Sequence, residues 1–116
     1  MPFRSVVEEL EAKLRPVKPH AAAFAPRGLG KAEWKQYGDG SRLGSLTLTG
    51  LDLPDGSELE LTSAGRPIDR LVVQQGGVRY RRESALGENV PVVERNQLLQ
   101  VLYNGQVILS GLVYRD

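Results

Sequence analysis

The chain closes on two β-type runs, Leu98-Leu99-Gln100-Val101-Leu102-Tyr103 and Gln106-Val107-Ile108-Leu109-Ser110-Gly111-Leu112-Val113, that meet at Asn104-Gly105. Asn-Gly best tolerates the two successive positive φ angles of a type I′ turn, so the runs are predicted to form a hairpin. A two-residue loop sets the register: Tyr103 opposite Gln106, Leu102 opposite Val107 and Val101 opposite Ile108. One face then carries Leu99, Val101, Tyr103, Ile108 and Leu112, and the other Leu98, Leu102, Val107, Leu109 and Val113. Both faces are largely apolar, so each needs a cover.

The N-terminus offers one. Phe3, Val6, Val7, Leu10 and Leu14 recur at spacings of three and four, which predicts an amphipathic helix of about three turns. Ser5 and Glu8 have the spacing of a capping box, and Pro16 and Pro19 end the pattern. Residues 15–30 are rich in Pro, Ala and Gly and read as a linker. The expected organisation is an arm over residues 1–30 and a β domain over residues 31–116.

Within that domain the apolar period is two. Leu46 and Leu48 alternate with Ser45, Thr47 and Thr49, and Leu59 with Leu61 repeats the pattern. Leu53-Pro54-Asp55-Gly56, Ala64-Gly65-Arg66 and Gln75-Gly76-Gly77 punctuate the runs as turns, and Val90-Pro91-Val92-Val93 reads as extended edge. About seven strands are expected, in an antiparallel β-sandwich or small barrel preceded by the N-terminal helix. Residues 59–73 also align with 99–113 at an offset of forty, with Leu59/Leu99, Gly65/Gly105, Ile68/Ile108 and Val73/Val113 identical. That echo predicts hairpins at both places; a duplication and shared turn chemistry both account for it.

At 116 residues the chain is the size of one domain with a real core. Fifteen basic against fourteen acidic side chains leave a net charge of +1, so no global field argues for nucleic acid or an anionic membrane. Without cysteine there is no disulfide, thiolate metal site or cysteine nucleophile. No window approaches the roughly 18 apolar residues of a membrane-spanning helix. Glu8, Glu9, Glu11 and Lys13 stand where a signal peptide needs an apolar run, so a cytoplasmic protein is expected.

Catalytic and metal chemistry finds little to build on. His20 is the sole histidine and sits in the linker, where a general base or ligand would lack rigid partners. Asp52, Asp55 and Glu58, with Asp39, offer oxygens for calcium but lack the spacing of an EF-hand loop. Gly28-Leu29-Gly30-Lys31 has neither the preceding buried strand nor the following hydroxyl of a phosphate loop. Arg79, Arg81 and Arg82 around Tyr80, with Arg70 on the preceding strand, suit a phosphate-tracking face, although Glu83 shares it. Neither an enzyme nor a cofactor is expected.

Four stretches give the region from Gly30 to Val113 a resemblance to short β-rich modules of bacterial proteins of unassigned function. They are Lys31-Ala32-Glu33-Trp34, Leu46-Thr47-Leu48-Thr49-Gly50-Leu51, Leu53-Pro54-Asp55-Gly56, and Asn104-Gly105 with Val107-Ile108-Leu109-Ser110-Gly111. The opening portion is also similar to the chordin-type β domain but lacks its histidine motif, so the metal role that family implies is not carried over. The resemblance implies the sandwich architecture and no chemistry. The expected function is a non-enzymatic interaction or structural module. It would self-associate through the stripe of Phe3, Val6, Val7, Leu10 and Leu14, through the closing hairpin, or through both. The alternative is a small-molecule or carbohydrate binder using Trp34, Tyr37 and Tyr80.

Overall fold

A computed structural model describes residues 5–115. It contains β1 (Val6–Pro16), α1 (Ala21–Phe24), β2 (Leu29–Tyr37), β3 (Arg42–Thr49), β4 (Glu58–Ser63), β5 (Arg66–Val72), β6 (Val78–Glu83), β7 (Leu98–Tyr103), β8 (Gln106–Leu112) and β9 (Tyr114–Arg115). The strands form one antiparallel sheet in the order β5-β4-β7-β8-β1-β2-β3-β6, with β9 also on β1. The sheet curls into a nearly closed barrel. Its two end strands, β5 and β6, are joined by the turn Gln74–Gly77 and share one bridge there before they part. Side chains close the rest of that seam: the Tyr80 hydroxyl donates to Asp69 at 2.6 Å, and Arg82 lies 3.4 Å from the same carboxylate.

The predicted N-terminal helix is not formed. Residues 6–16 are β1, paired with β2 from Leu10↔Trp34 through Leu14↔Gly30. On the other side, β1 pairs with β9 at Leu10↔Arg115 and Glu11↔Tyr114, and with β8 at Arg15↔Ser110 and Pro16↔Leu109. Leu10-Glu11-Ala12-Lys13-Leu14-Arg15 alternates strictly, and Leu10, Ala12 and Leu14 are the buried members. The Glu-, Ala-, Lys- and Leu-rich composition favours a helix locally, but two ladders of tertiary hydrogen bonds override that preference. Of the expected stripe, Val6 and Val7 are exposed at 46% and 53%, and Phe3 lies outside the described residues. Residues 6–16 are therefore a central strand and no detachable arm.

The segment read as a linker closes one end of the barrel. Ala21 and Ala25 are buried, and Phe24 meets Tyr103 edge-on with ring centroids 4.9 Å apart. The other end is closed by residues 84–97. Val90–Val93 is not a strand there, but Val90, Pro91 and Val93 are buried as a lid. Trp34 Nε1 donates to the Pro91 carbonyl at 2.9 Å, and the Arg42 guanidinium donates to that of Val90. Between these plugs Leu46, Leu48, Leu59, Leu61, Leu71, Leu99, Val101, Ile108 and Leu109 fill the interior. Complete burial of such a side chain stabilises the fold by about 1.5–3 kcal/mol.

The closing hairpin has the predicted turn, with φ of 49° at Asn104 and 77° at Gly105. Tyr103↔Gln106 and Leu102↔Val107 pair as expected, but Val101 faces Leu109, not Ile108. A β-bulge at Ile108 shifts the phase, so Ile108 and Leu109 are both wholly buried and the rest of β8 is turned over. Val113 and Gly111 then point inward and Leu112 outward, which corrects the face expected for Leu112, Leu109 and Val113.

Candidate functional site

Three surfaces gather the candidate side chains. The first lies on the outer face of β1, β2 and β3, where the pleat sends Glu9, Glu11, Lys13 and Arg15 of β1 outward. Register places Glu9 opposite Lys35, Glu11 opposite Glu33, and Lys13 opposite Lys31. Across the next ladder Lys31 faces Thr47, Glu33 faces Ser45 and Leu29 faces Thr49, and Thr47 in turn faces Arg79 of β6. Charges on this face are only partly sorted by height, because Lys35 stands opposite Glu9 and Arg81 of β6 lies beyond Ser45 at the level of Glu33. Two adjacent levels bring together Glu9, Glu11 and Glu33, whose carboxylate oxygens lie within 4.8 Å of one another; Tyr114 donates to Glu11 at 2.9 Å. The next carries Lys13, Lys31 and Arg79, with Arg15 beside it.

A groove of about 620 Å³ opens at the basic level. It is lined by Lys13, Arg15, Lys31, Leu29, Glu33, Ser45, Thr47 and Thr49, with the chain at Leu14 and Gly30 beneath. Lys31 reaches Glu33 at 3.3 Å; among the described residues, neither Lys13 nor Arg15 has a carboxylate partner. The groove is hidden from a sequence reading that places Lys13 on a helix and Arg15 in a linker. Once β1 is a strand, the cross-strand pairing follows from its alternation.

The second surface holds the aromatic residues. Trp34 and Tyr80 do converge, with ring centroids 6.4 Å apart in a stacked arrangement, but they are 7% and 6% exposed. Their polar atoms are engaged by Pro91 and Asp69, and Arg82 covers the Tyr80 ring at 4.7 Å. Burial, the hydrogen bond to Asp69 and the charge of that carboxylate push the Tyr80 phenol well above its ordinary range. Tyr37 is half-buried at the far end of β2. The expected ligand trio thus divides into a core pair that fastens the lid and seam, and a separate Tyr37. Asp69, which closes the seam, carries no sequence signal because its partners come from β6.

Of the expected arginine cluster, Arg79 and Arg81 are exposed and Arg81 pairs with Glu83 at 2.9 Å, while Arg82 turns to the seam. Two of the calcium candidates fasten turns: Asp55 accepts from the Gln75 amide at 2.8 Å and Asp39 from the Ser41 amide at 2.9 Å. His20 is half-buried beside α1.

The third surface is the outer face of the closing hairpin. Leu98 and Leu112 stand directly opposite each other at 46% and 52% exposure, and Leu102 opposes Val107, with Gln100 and Ser110 between the pairs. None of these six residues is charged. No protein-family model matches the chain, and no curated protein is significantly similar to it.

Proposed function

We propose that the protein is a non-enzymatic interaction module that self-associates through the outer face of its C-terminal hairpin. The observation that carries this reading is the uncharged patch of exposed Leu98 and Leu112 with half-buried Leu102 and Val107. Other outward strand faces present charge: Lys13 and Arg15 on β1, Glu58 and Glu60 on β4, Arg79 and Arg81 on β6. Large exposed apolar patches rimmed by polar residues are a mark of association surfaces.

A second copy is the occupant favoured by charge. Glu58 and Glu60 flank the patch on the β4 side, and Lys13 and Arg15 flank it on the β1 side. Two hairpins packed face to face about a two-fold axis along the strands bring the acidic flank of each against the basic flank of the other. Such an isologous contact is self-complementary. A stable dimer buries roughly 800 Å² per partner, so these flanks would belong to the interface along with the leucines.

Light scattering coupled to size-exclusion chromatography tests the reading. The native chain is expected at twice its 12.7 kDa mass, and Leu98→Glu/Leu112→Glu at the monomer mass with an unchanged circular dichroism spectrum. A native chain that elutes as a monomer at a concentration of about 0.1 mM, where a micromolar dimer would be mostly assembled, removes the proposal.

A further inference from the structure

We infer that the groove on the outer face of β1, β2 and β3 is a binding site for a small phosphate- or sulfate-bearing ligand with an apolar portion. Charge placement is the first argument. In an antiparallel ladder, directly opposed side chains have Cβ atoms about 4.5–5.5 Å apart, and like charges there repel. Lys13↔Lys31 is such a pair, with Arg15 beside it and Arg79 one strand beyond Thr47. Glu33, one level away and itself part of the groove's lining, pairs with Lys31 at 3.3 Å, while Lys13 and Arg15 have no carboxylate partner among the described residues. A doubly charged oxyanion between Lys13 and Lys31 turns the repulsive pair into two charge-assisted contacts.

Shape and donor chemistry are the second argument. The groove's volume of about 620 Å³ falls within the range of small-molecule sites. Thr47 and Thr49 place hydroxyl donors on the β3 wall, where they add to the ammonium and guanidinium groups. Leu29, opposite Thr49 and 54% exposed, supplies an apolar wall together with the lysine stems. The lining therefore suits a molecule with a charged head and an uncharged body. Lys13 and Arg15 also flank the hairpin patch, so a dimer formed there competes with the ligand for them. The inference does not rest on self-association, and Leu98→Glu/Leu112→Glu, a monomer under that reading, carries the same groove for the titration.

Titration of the full chain with 1-naphthyl phosphate, followed by amide chemical shifts, tests it; neutral 1-naphthol and a single-stranded oligonucleotide serve as comparisons. The expected result is saturable binding of 1-naphthyl phosphate, with shifts centred on residues 13–15, 29–33 and 45–49 and no saturation by 1-naphthol. Lys13→Gln/Lys31→Gln should weaken binding by at least about tenfold, as loss of two charge-assisted contacts implies. Arg81→Gln, outside the groove, should leave it unchanged. Both variants alter exposed side chains, and their amide spectra report whether the barrel is intact. The inference is overturned by any of three results: no saturation by 1-naphthyl phosphate, equal binding of 1-naphthol, or binding of the oligonucleotide alone.

Discussion

The two hairpins β4–β5 and β7–β8 start from the same local instructions and end in different environments. Their turns match: φ is 51° and 79° at Ala64 and Gly65, and 49° and 77° at Asn104 and Gly105. Their bulges match as well, because Leu61 faces Asp69 and Thr62 faces Pro67 just as Val101 faces Leu109 and Leu102 faces Val107. Ile68 and Ile108 occupy the bulge in each. The hairpins also sit side by side through Leu61↔Val101, Glu60↔Leu102 and Thr62↔Gln100, a pairing that an offset of forty exchanges with itself. A local two-fold relation therefore runs through this half of the sheet.

The difference lies in the neighbour of each second strand. β8 has β1 beyond it, so Ile108 and Leu109 are sealed. β5 ends the sheet, and its equivalents are a half-buried Ile68 and Asp69, whose carboxylate meets β6 across the seam. Pro67, Asp69 and Arg70 blunt that edge against stray pairing. Turn and bulge are properties of a few consecutive residues, whereas burial is a property of position in the sheet.

Exchanging the equivalent residues breaks the comparison most severely. Leu109→Asp would bury an unpaired carboxylate, and a loss of about 4 kcal/mol or more, close to complete unfolding, is expected in denaturant titration. Asp69→Leu should cost only about 1–2 kcal/mol, because it removes the Tyr80 bond but exposes nothing buried. Similar losses for the two variants would show that the seam matters as much as the centre.

Gly111 and Leu71 are the next equivalent pair. A Cβ at Gly111 would lie 2.1 Å from the Lys13 carbonyl oxygen, so β1 and β8 approach too closely for any side chain. Gly111→Ala is expected to cost about 1–3 kcal/mol through backbone displacement, read from the thermal midpoint. The seam has its own signature in alkali. The folded state holds the Tyr80 proton more tightly than the unfolded chain, so its stabilising contribution is complete below the ordinary phenol pKa of about 10 and declines as pH rises above it. Tyr80→Phe should flatten the fall in stability from pH 9 to 11; an unchanged slope would place the alkaline sensitivity elsewhere. The smallest effect belongs to the turns. Ala64 adopts a positive φ that Asn104 tolerates better, so Ala64→Asn should raise stability by about 0.5 kcal/mol.

Where the sequence reading succeeded, neighbouring residues carried the signal. The alternation in β3 and β4 and the Asn-Gly turn are local, and the runs they bound are strands in the structure. It failed at residues 6–16, where Phe3, Val6, Val7, Leu10 and Leu14 fit a helical stripe as well as Leu10, Ala12 and Leu14 fit a strand. That choice hid the groove, since Lys13 meets Lys31 only across a ladder. It also undercounted the strands. The bulge at Ile108 was equally invisible, because three consecutive apolar residues obscure a change of phase.

By itself the sequence determined an antiparallel, turn-rich β architecture, two like hairpins and a chain without thiol chemistry, because each comes from residue identity or from period over a few positions. Tertiary structure alone decided that the N-terminus is a central strand, that the sheet curls until Asp69 meets Tyr80, and that Lys13 and Arg15 share a groove with Lys31. Those outcomes rest on hydrogen bonds and burial between segments far apart in the chain, whose sum exceeds any local preference.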